Sequence, residues 1–368
     1  MNEIIVKTPG KLFIAGEYAI LEPNQDAVVI AVDRYMKAKI HSSQNNELSL
    51  PQIGFPQITW EYDSESGIRF HIDDPKLNFI QNAMKITLQY LEEKNIPIQP
   101  FSLHITSELD DSSGKKYGLG SSAAIVVIAI SAILHFYKEE NEHFDFTNEQ
   151  VYKLSSIVHY LTQGNGSCAD IAASVYGGWL EYSMFRPEWL IKEIELGKNW
   201  SEILNTKWPG LKINSITPPS LLVLAVGWTE SEAKTSSLVS RVQQLKVKDP
   251  ELYTQFLQQS QEATQSIVES FVNQNVDMAI ESLALNRKAL QRLGTFTGVP
   301  IETPQLKELI EIAEKYGSGK SSGAGGGDCG IAFLKDQGEL RYLYNEWIEA
   351  GITPLEIHVS KDGTKRIK

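Results

Sequence analysis

The sequence has few cysteines, no excess of positive charge and no long apolar run. Its two cysteines, Cys168 and Cys329, are too few for a disulfide framework and lack a metal-binding spacing, which is typical of a cytoplasmic protein. The balance of 34 basic and 46 acidic residues gives a net charge of −12. This charge argues against general nucleic-acid binding and against attachment to an anionic membrane surface.

The chain also lacks the features of a secreted or membrane-spanning protein. Its first residues contain no charged segment followed by a long apolar core, and the apolar run at residues 123–134 is too short to cross a bilayer. We therefore expect a cytoplasmic protein with no nucleic-acid or membrane partner, acting as a monomer or homodimer on a small-molecule substrate.

The 368 residues, 42% of them hydrophobic, are enough for two domains. Strand patterns dominate the first third of the chain, whereas residues 235–293 are predicted to be helical. The pair Pro218-Pro219, which interrupts regular secondary structure, precedes the apolar run at residues 221–226. We therefore place the boundary between the two domains there. The prediction is an α+β protein with domains at residues 1–217 and 218–368.

The most informative segment is the glycine-serine loop at residues 117–122, which leads directly into an apolar helical run. Glycines let the backbone approach a phosphate closely, and the free N–H groups and dipole of the following helix favour negative charge. Ser121 and Ser122 add hydroxyls for phosphate or Mg²⁺. The alternative is an ordinary helix start after a flexible loop.

Two further glycine segments strengthen the case for a phosphate site. Residues 163–170 form a polar turn that ends at Asp170, which is either a functional carboxylate or a helix cap. Residues 320–329 contain four glycines and precede a short apolar strand, which is unusual for a mobile linker.

Common nucleotide motifs do not explain these segments. A Walker A loop ending at Gly319-Lys320-Ser321 would need a glycine where the chain has Glu314. The loose dinucleotide fingerprint from Gly118 to Ala123 does not follow a buried strand.

Together with Pro9-Gly10-Lys11 and the following residues to Leu21, the three segments resemble, in order and spacing, the GHMP small-molecule kinase family. The resemblance covers essentially the whole chain. It implies a mixed α/β N-terminal domain with a ribosomal-protein-S5-like core and a ferredoxin-like C-terminal domain.

The resemblance also implies an ATP- and Mg²⁺-dependent phosphotransferase. The acceptor that it suggests is (R)-5-phosphomevalonate, converted to the diphosphate in the mevalonate pathway of isoprenoid biosynthesis. Phosphorylation of mevalonate or homoserine, diphosphomevalonate decarboxylation, and a non-catalytic nucleotide or metabolite sensor remain alternatives.

The resemblance assigns roles to particular residues. Lys11 and Asp170 are implied to be catalytic and to form an ion pair, and Ser122 and Asp170 to hold the metal. The ATP loop comprises Gly118, Leu119, Gly120, Ser121, Ser122 and Ala123. The implied substrate contacts are Lys11, Tyr18, Ser167, Asp170, Arg287, Gly325, Gly326 and Asp328.

One position departs from the family pattern. Several alcohol kinases of the family place a Mg²⁺-binding glutamate eleven residues before the aspartate, and this chain has His159 there. A neutral imidazole is a poor Mg²⁺ ligand, so we expect serine, phosphate oxygens and water to hold the ion, with Asp170 as an additional ligand. His159 is expected to pack within its helix.

Overall fold

The computed structural model describes residues 3–111, 113–231 and 235–368, without the side chains of residues 235–237. In the first part of the chain, the described residues form eight strands and six α-helices. The strands are β1 (Ile4–Ala15), β2 (Asp26–Ser42), β3 (Glu47–Leu50), β4 (Phe55–Asp63), β5 (Gly67–Phe70), β6 (Phe101–Ser107), β7 (Trp179–Ser183) and β8 (Lys212–Ile216). The helices are α1 (Asn78–Glu93), α2 (Ser121–Glu140), α3 (Asn148–Gln163), α4 (Ala169–Tyr176), α5 (Pro187–Glu195) and α6 (Trp200–Asn205).

The remaining elements form the second part of the fold. They are β9 (Val223–Trp228), α7 (Thr235–Lys248), α8 (Pro250–Val272), α9 (Val276–Thr297), α10 (Pro304–Ala313), β10 (Gly317–Ser321), β11 (Cys329–Leu334), α11 (Leu340–Glu349), β12 (Thr353–Leu355) and β13 (Lys365–Arg366). The helical prediction for residues 235–293 thus corresponds to three helices.

The larger sheet has the order β13-β1-β2-β6-β3-β4-β5, and β7 and β8 branch from β2. The long strand β2 makes this branch, because its first half pairs with β7 and its second half with β6. Since β1 is antiparallel to β2 along nearly its whole length, β1 is held inside the sheet beside the helices α2 and α4. This position fixes the backbone around Lys11.

Helix α2 is the central helix of this layer. By length and composition alone it could cross a membrane, but 72% of the apolar window is buried inside the fold. It packs against α1, α3, β1 and β2. The sequence prediction stopped the apolar run at residue 134, whereas the helix continues to Glu140; its apolar character is that of a core helix.

The smaller sheet is antiparallel, with the order β10-β11-β9-β12. In chain order this is the second, third, first and fourth strand, which is the ferredoxin-like arrangement. Buried residues of α10, α11 and the sheet, among them Leu309, Ala332 and Trp347, form its core.

Two helices begin at capping residues that are recognisable in the sequence. Thr147 and Gln150 form the reciprocal capping box of α3, and Thr303 caps α10 with Pro304 in its first turn. The proposed division after residue 217 falls between β8 and β9. The chain end then returns to the larger sheet, where β13 pairs with β1.

Candidate active site

A cavity of about 590 Å³ lies where the three glycine segments meet β1. We call it the cleft. Ten of the residues predicted for the site line it: Lys11, Tyr18, Gly118, Gly120, Ser121, Ser122, Ser167, Asp170, Gly325 and Asp328. Segments more than 300 residues apart in sequence therefore converge on one cavity.

The other predicted residues lie outside the cleft lining. Leu119 and Ala123 are fully buried in the core, so their side chains anchor the loop and leave only the backbone for a ligand. Gly326 packs against Leu238. A Cβ atom added to this glycine would lie 2.9 Å from Cδ1 of the leucine.

Arg287 is the clearest correction. The structure does not bring it to the cleft, and its side chain is only 9% exposed. Its guanidinium donates to Glu302 at 2.8 and 3.1 Å and to Glu314 at 2.5 Å. These carboxylates neutralise the positive charge of Arg287, which the sequence analysis expected to bind the substrate.

Two glycines of the first loop are required by close approaches across the cleft. Gly118 and Gly120 have φ angles of 81° and 82°, which other residues rarely adopt. A Cβ atom at Gly118 would lie 2.5 Å from Cβ of Asp328, and one at Gly120 would lie 2.9 Å from Cγ and Cε of Lys11. The absence of both side chains therefore lets Asp328 and Lys11 reach the loop.

The start of α2 is suited to an anion. Gly120 occupies the position before the helix and has no side chain to cap it. The N–H groups of the first turn lack partners within a helix, and the helix dipole adds positive potential there. Ser121 Oγ lies 3.5 Å from Asp110 Oδ1, and Ser122 lines the cleft beside it. This arrangement can hold a phosphate group by its backbone N–H groups and hydroxyls.

Lys11 is fixed at the base of this loop. Its backbone N–H donates to the Leu119 carbonyl oxygen at 2.9 Å, and its ammonium donates to the Gly118 carbonyl oxygen at 3.3 Å. The structure thus presents a cation directly beside the backbone that a phosphate would contact.

The predicted ion pair between Lys11 and Asp170 is wrong for this structure. Within the described residues no ion pair of up to 4.0 Å joins them, because the Lys11 ammonium turns to the Gly118 carbonyl oxygen. Asp170 lies in the first turn of α4 and accepts from the N–H of Ile171 at 3.0 Å. It lines the cleft, and it is not the cap of its helix, because Cys168 occupies the N-cap position.

Tyr18 links the segment at residues 9–21 to the glycine-rich residues 320–329, which we call the late glycine loop. Its hydroxyl donates to the Ala324 carbonyl oxygen at 2.5 Å. Burial, together with the charge of Glu17, raises the pKa of Tyr18 above its ordinary value, so the phenol stays a protonated donor.

Four functional candidates were not assigned from the sequence: Glu17, Lys116, His159 and Lys320. Glu17, Lys116 and His159 line the cleft. For Lys116, the position directly before the glycine loop was a usable signal in the sequence. His159 packs as predicted, with its ring stacked on Phe79 at 5.1 Å, and both ring nitrogens lack a hydrogen-bond partner within the described chain.

The carboxylates and hydroxyls of the cleft are a suitable set for Mg²⁺ only in combination with a ligand. No group of three or more His, Cys, Asp or Glu side chains within the described ranges could hold a metal alone. Mg²⁺ commonly binds through one or two carboxylates, several waters and substrate phosphates. Asp170 and Ser122 can supply the protein's share.

Comparison with known proteins agrees with this geometry. Residues 78–178 match the family model "GHMP kinases N terminal domain", and residues 268–353 match "GHMP kinases C terminal". The phosphomevalonate kinase of Streptomyces sp. (strain CL190) is 28% identical, with 98% of each chain covered.

Two solved structures are similar along nearly the whole chain. The Lin0012 protein from Listeria innocua is 37% identical with a TM-score of 0.92, and the match covers 100% of both chains. Streptococcus pneumoniae phosphomevalonate kinase, solved with phosphomevalonate and AMPPNP, is 31% identical with a TM-score of 0.83, and the match covers 96% of this chain and 99% of that one. The fold, the cleft and these matches together show that the chain belongs to the GHMP kinase family.

Proposed function

We propose that the protein transfers the γ-phosphoryl group of ATP to (R)-5-phosphomevalonate, giving (R)-5-diphosphomevalonate and ADP. The observation that carries the proposal is the full-length similarity to an enzyme solved with phosphomevalonate and an ATP analogue, combined with the convergence of the glycine segments on one cleft. The reaction is a step of the mevalonate pathway of isoprenoid biosynthesis. The two cysteines are free and buried, which is compatible with a cytoplasmic enzyme.

The ATP phosphates are proposed to lie on the backbone of residues 118–122 at the start of α2. Lys11, next to this backbone, is proposed to neutralise charge on the transferred group. The late glycine loop, with Gly325 and Asp328, faces the first loop across the cleft and is proposed to enclose the acceptor with Ser167 and Tyr18.

Mg²⁺, when bound, neutralises charge on the nucleotide phosphates and orients them. Ser122 and Asp170 are proposed to hold it from the protein side.

The chemistry of the acceptor limits what Asp170 has to do. A phosphomonoester has a second pKa of about 6, so at neutral pH it already presents an anionic oxygen for attack. No strong base is then required. We infer that Asp170 positions the reacting groups and the metal, and that the rate comes from alignment and charge neutralisation.

The proposal is tested by Mg²⁺-dependent ADP release from ATP with 5-phosphomevalonate, mevalonate, homoserine, 5-diphosphomevalonate or no acceptor. Turnover is expected with 5-phosphomevalonate alone. Turnover only with another acceptor would agree with kinase activity but contradict phosphomevalonate as the acceptor. ATP binding without turnover on the whole panel would favour a sensor.

A further inference from the structure

A buried ion pair behind the cleft joins the end of β1 to the glycine segment at residues 320–329. Lys320, on β10, has a side chain with no exposed surface, and its ammonium donates to Glu17 Oε1 and, at 2.7 Å, to the Ser321 carbonyl oxygen. Glu17 follows β1, and its side chain is 2% exposed. An ion pair buried this deeply costs desolvation energy that apolar residues of similar volume would not.

The pair lies within a row of hydrogen bonds between residues 13–18 and residues 320–324, which we call the seam. The N–H of Gly323 donates to Glu17 Oε1 at 3.3 Å. Ser322 Oγ accepts from the N–H of Phe13 at 3.0 Å and donates to its carbonyl oxygen at 2.9 Å. The bond from Tyr18 to Ala324 completes the seam.

The seam connects elements of different sheets, because β1 belongs to the larger sheet and β10 to the smaller one. At one end of the seam, Phe13 is two residues from Lys11. At the other end, Ala324 leads into the part of the late glycine loop that contains Gly325 and Asp328. The seam therefore determines how the late glycine loop is placed relative to Lys11.

Glu17 has a second feature that a purely structural pair would not need. It lines the cleft, and within the described residues its Oε2 atom is buried without a hydrogen-bond partner. Buried polar atoms without partners are uncommon in folded proteins. Lys320 neutralises the Glu17 carboxylate from the side away from the cleft, and its ammonium is fully buried there, out of reach of a ligand.

We propose that Lys320 is a positioning residue for phosphoryl transfer. It acts through Glu17 and the backbone of Gly323 to hold the late glycine loop in register with Lys11, and it touches neither nucleotide nor acceptor. This inference rests on the proposed kinase function for its kinetic readout. Its structural readout, the mobility of the loop, is independent of the substrate.

The first test is the variant Lys320→Met, which removes the charge and keeps most of the volume. We expect kcat to fall by roughly 10²-fold, because displacements of about 1 Å can cost that much, while the KM for ATP changes little. Glu17→Gln/Lys320→Met should be about tenfold more active than Lys320→Met alone, since it leaves no unpaired buried charge.

Lys153→Met is the matched control. Lys153 is also an almost fully buried lysine, with its ammonium on Glu149 Oε1 and on the carbonyl oxygens of Leu204 and Thr206, but it does not line the cleft. Both lysine variants should lower the thermal midpoint, and Lys153→Met should keep the kcat of the folded fraction. Hydrogen exchange at residues 322–328 should accelerate in Lys320→Met only.

The outcomes separate the two proposals. Absence of turnover by the wild-type protein on phosphomevalonate overturns the proposed function, and the exchange experiment still tests the seam. An active wild type with an equally active Lys320→Met, or unchanged exchange at residues 322–328, overturns the positioning role. If Lys320→Met does not fold, Tyr18→Phe tests the same seam without burying a charge. It should accelerate exchange in the loop, and unchanged exchange would also overturn the positioning role.

Discussion

Replacing Gly120 by alanine should slow phosphoryl transfer by displacing the side chain of Lys11. A Cβ atom at this position would lie 2.9 Å from Cγ and Cε of Lys11, whereas ordinary contacts begin at 3.4 Å. The lysine must therefore withdraw by about 0.5 Å, because the neighbouring core is too closely packed for the backbone to yield. Its side chain is flexible, so the displacement should affect catalysis more than folding.

The magnitude follows from this distance. Since a misplacement of about 1 Å can cost roughly 10²-fold in rate, a displacement of half that size should cost about tenfold in kcat, or about 1.4 kcal/mol in the activation free energy. The positive φ of 82° should also lower the free energy of unfolding by about 1–2 kcal/mol when a Cβ is added.

Gly114→Ala is the control for the backbone effect. Gly114 precedes the same loop with a φ of 85°, and a Cβ there meets nothing within 4 Å. Its stability loss should equal that of Gly120→Ala, and its kcat should stay at the wild-type value. Both are measured by denaturant unfolding and by steady-state ADP release.

A double mutant then tests whether the effect passes through Lys11. If it does, adding Gly120→Ala to Lys11→Met should reduce kcat little further, because the displaced group is already absent. Equal kcat values for the two alanine variants, or a full tenfold loss on top of Lys11→Met, would show that Gly120→Ala does not act by displacing Lys11.

Three other predictions concern single residues. Asp170→Asn should lower kcat by a similar factor at every pH from about 6 to about 9, because the ionised acceptor needs no base and its own protonation near pH 6 affects both enzymes equally; a loss confined to the acidic end would indicate a base. Burial, with the charges of Arg366 and Lys138, lowers the pKa of His135 to about 4, so below about 6.5 the unfolded chain takes up a proton that the folded chain does not. Stability should therefore fall by at most about 3 kcal/mol as the pH drops from about 6.5 to about 4, and His135→Gln should flatten this dependence in denaturant unfolding. Arg287→Met should lower the free energy of unfolding by about 3 kcal/mol by leaving Glu302 unpaired, and an increase in the acceptor KM larger than twofold would show that Arg287 binds substrate after all.

Local signals in the sequence identified most of the cleft. The glycine loop before α2, the Asp170 turn and the late glycine loop each combine a backbone requirement with a following regular element, so each can be recognised without knowing its partners. The capping residues Thr147 and Thr303 are predictable for the same reason.

Long-range partners could not be read from such signals. The distance between Gly118 and Asp328, or between Glu17 and Lys320, depends on how two sheets pack. Lys320 resembled the end of a failed Walker motif and Arg287 resembled a free cation, yet the first is sealed behind the cleft and the second is neutralised by two carboxylates. Which lysine or arginine serves a ligand is decided by tertiary contacts.

We expect the cleft to transfer a phosphoryl group from ATP onto an existing phosphate. This transfer can be followed by phosphorus NMR of the purified protein with ATP, Mg²⁺ and an equimolar mixture of mevalonate and 5-phosphomevalonate. We expect ADP and, beside it, the coupled pair of resonances of a new diphosphate ester. A growing monoester resonance, with ADP as the only diphosphate ester formed, would contradict this expectation.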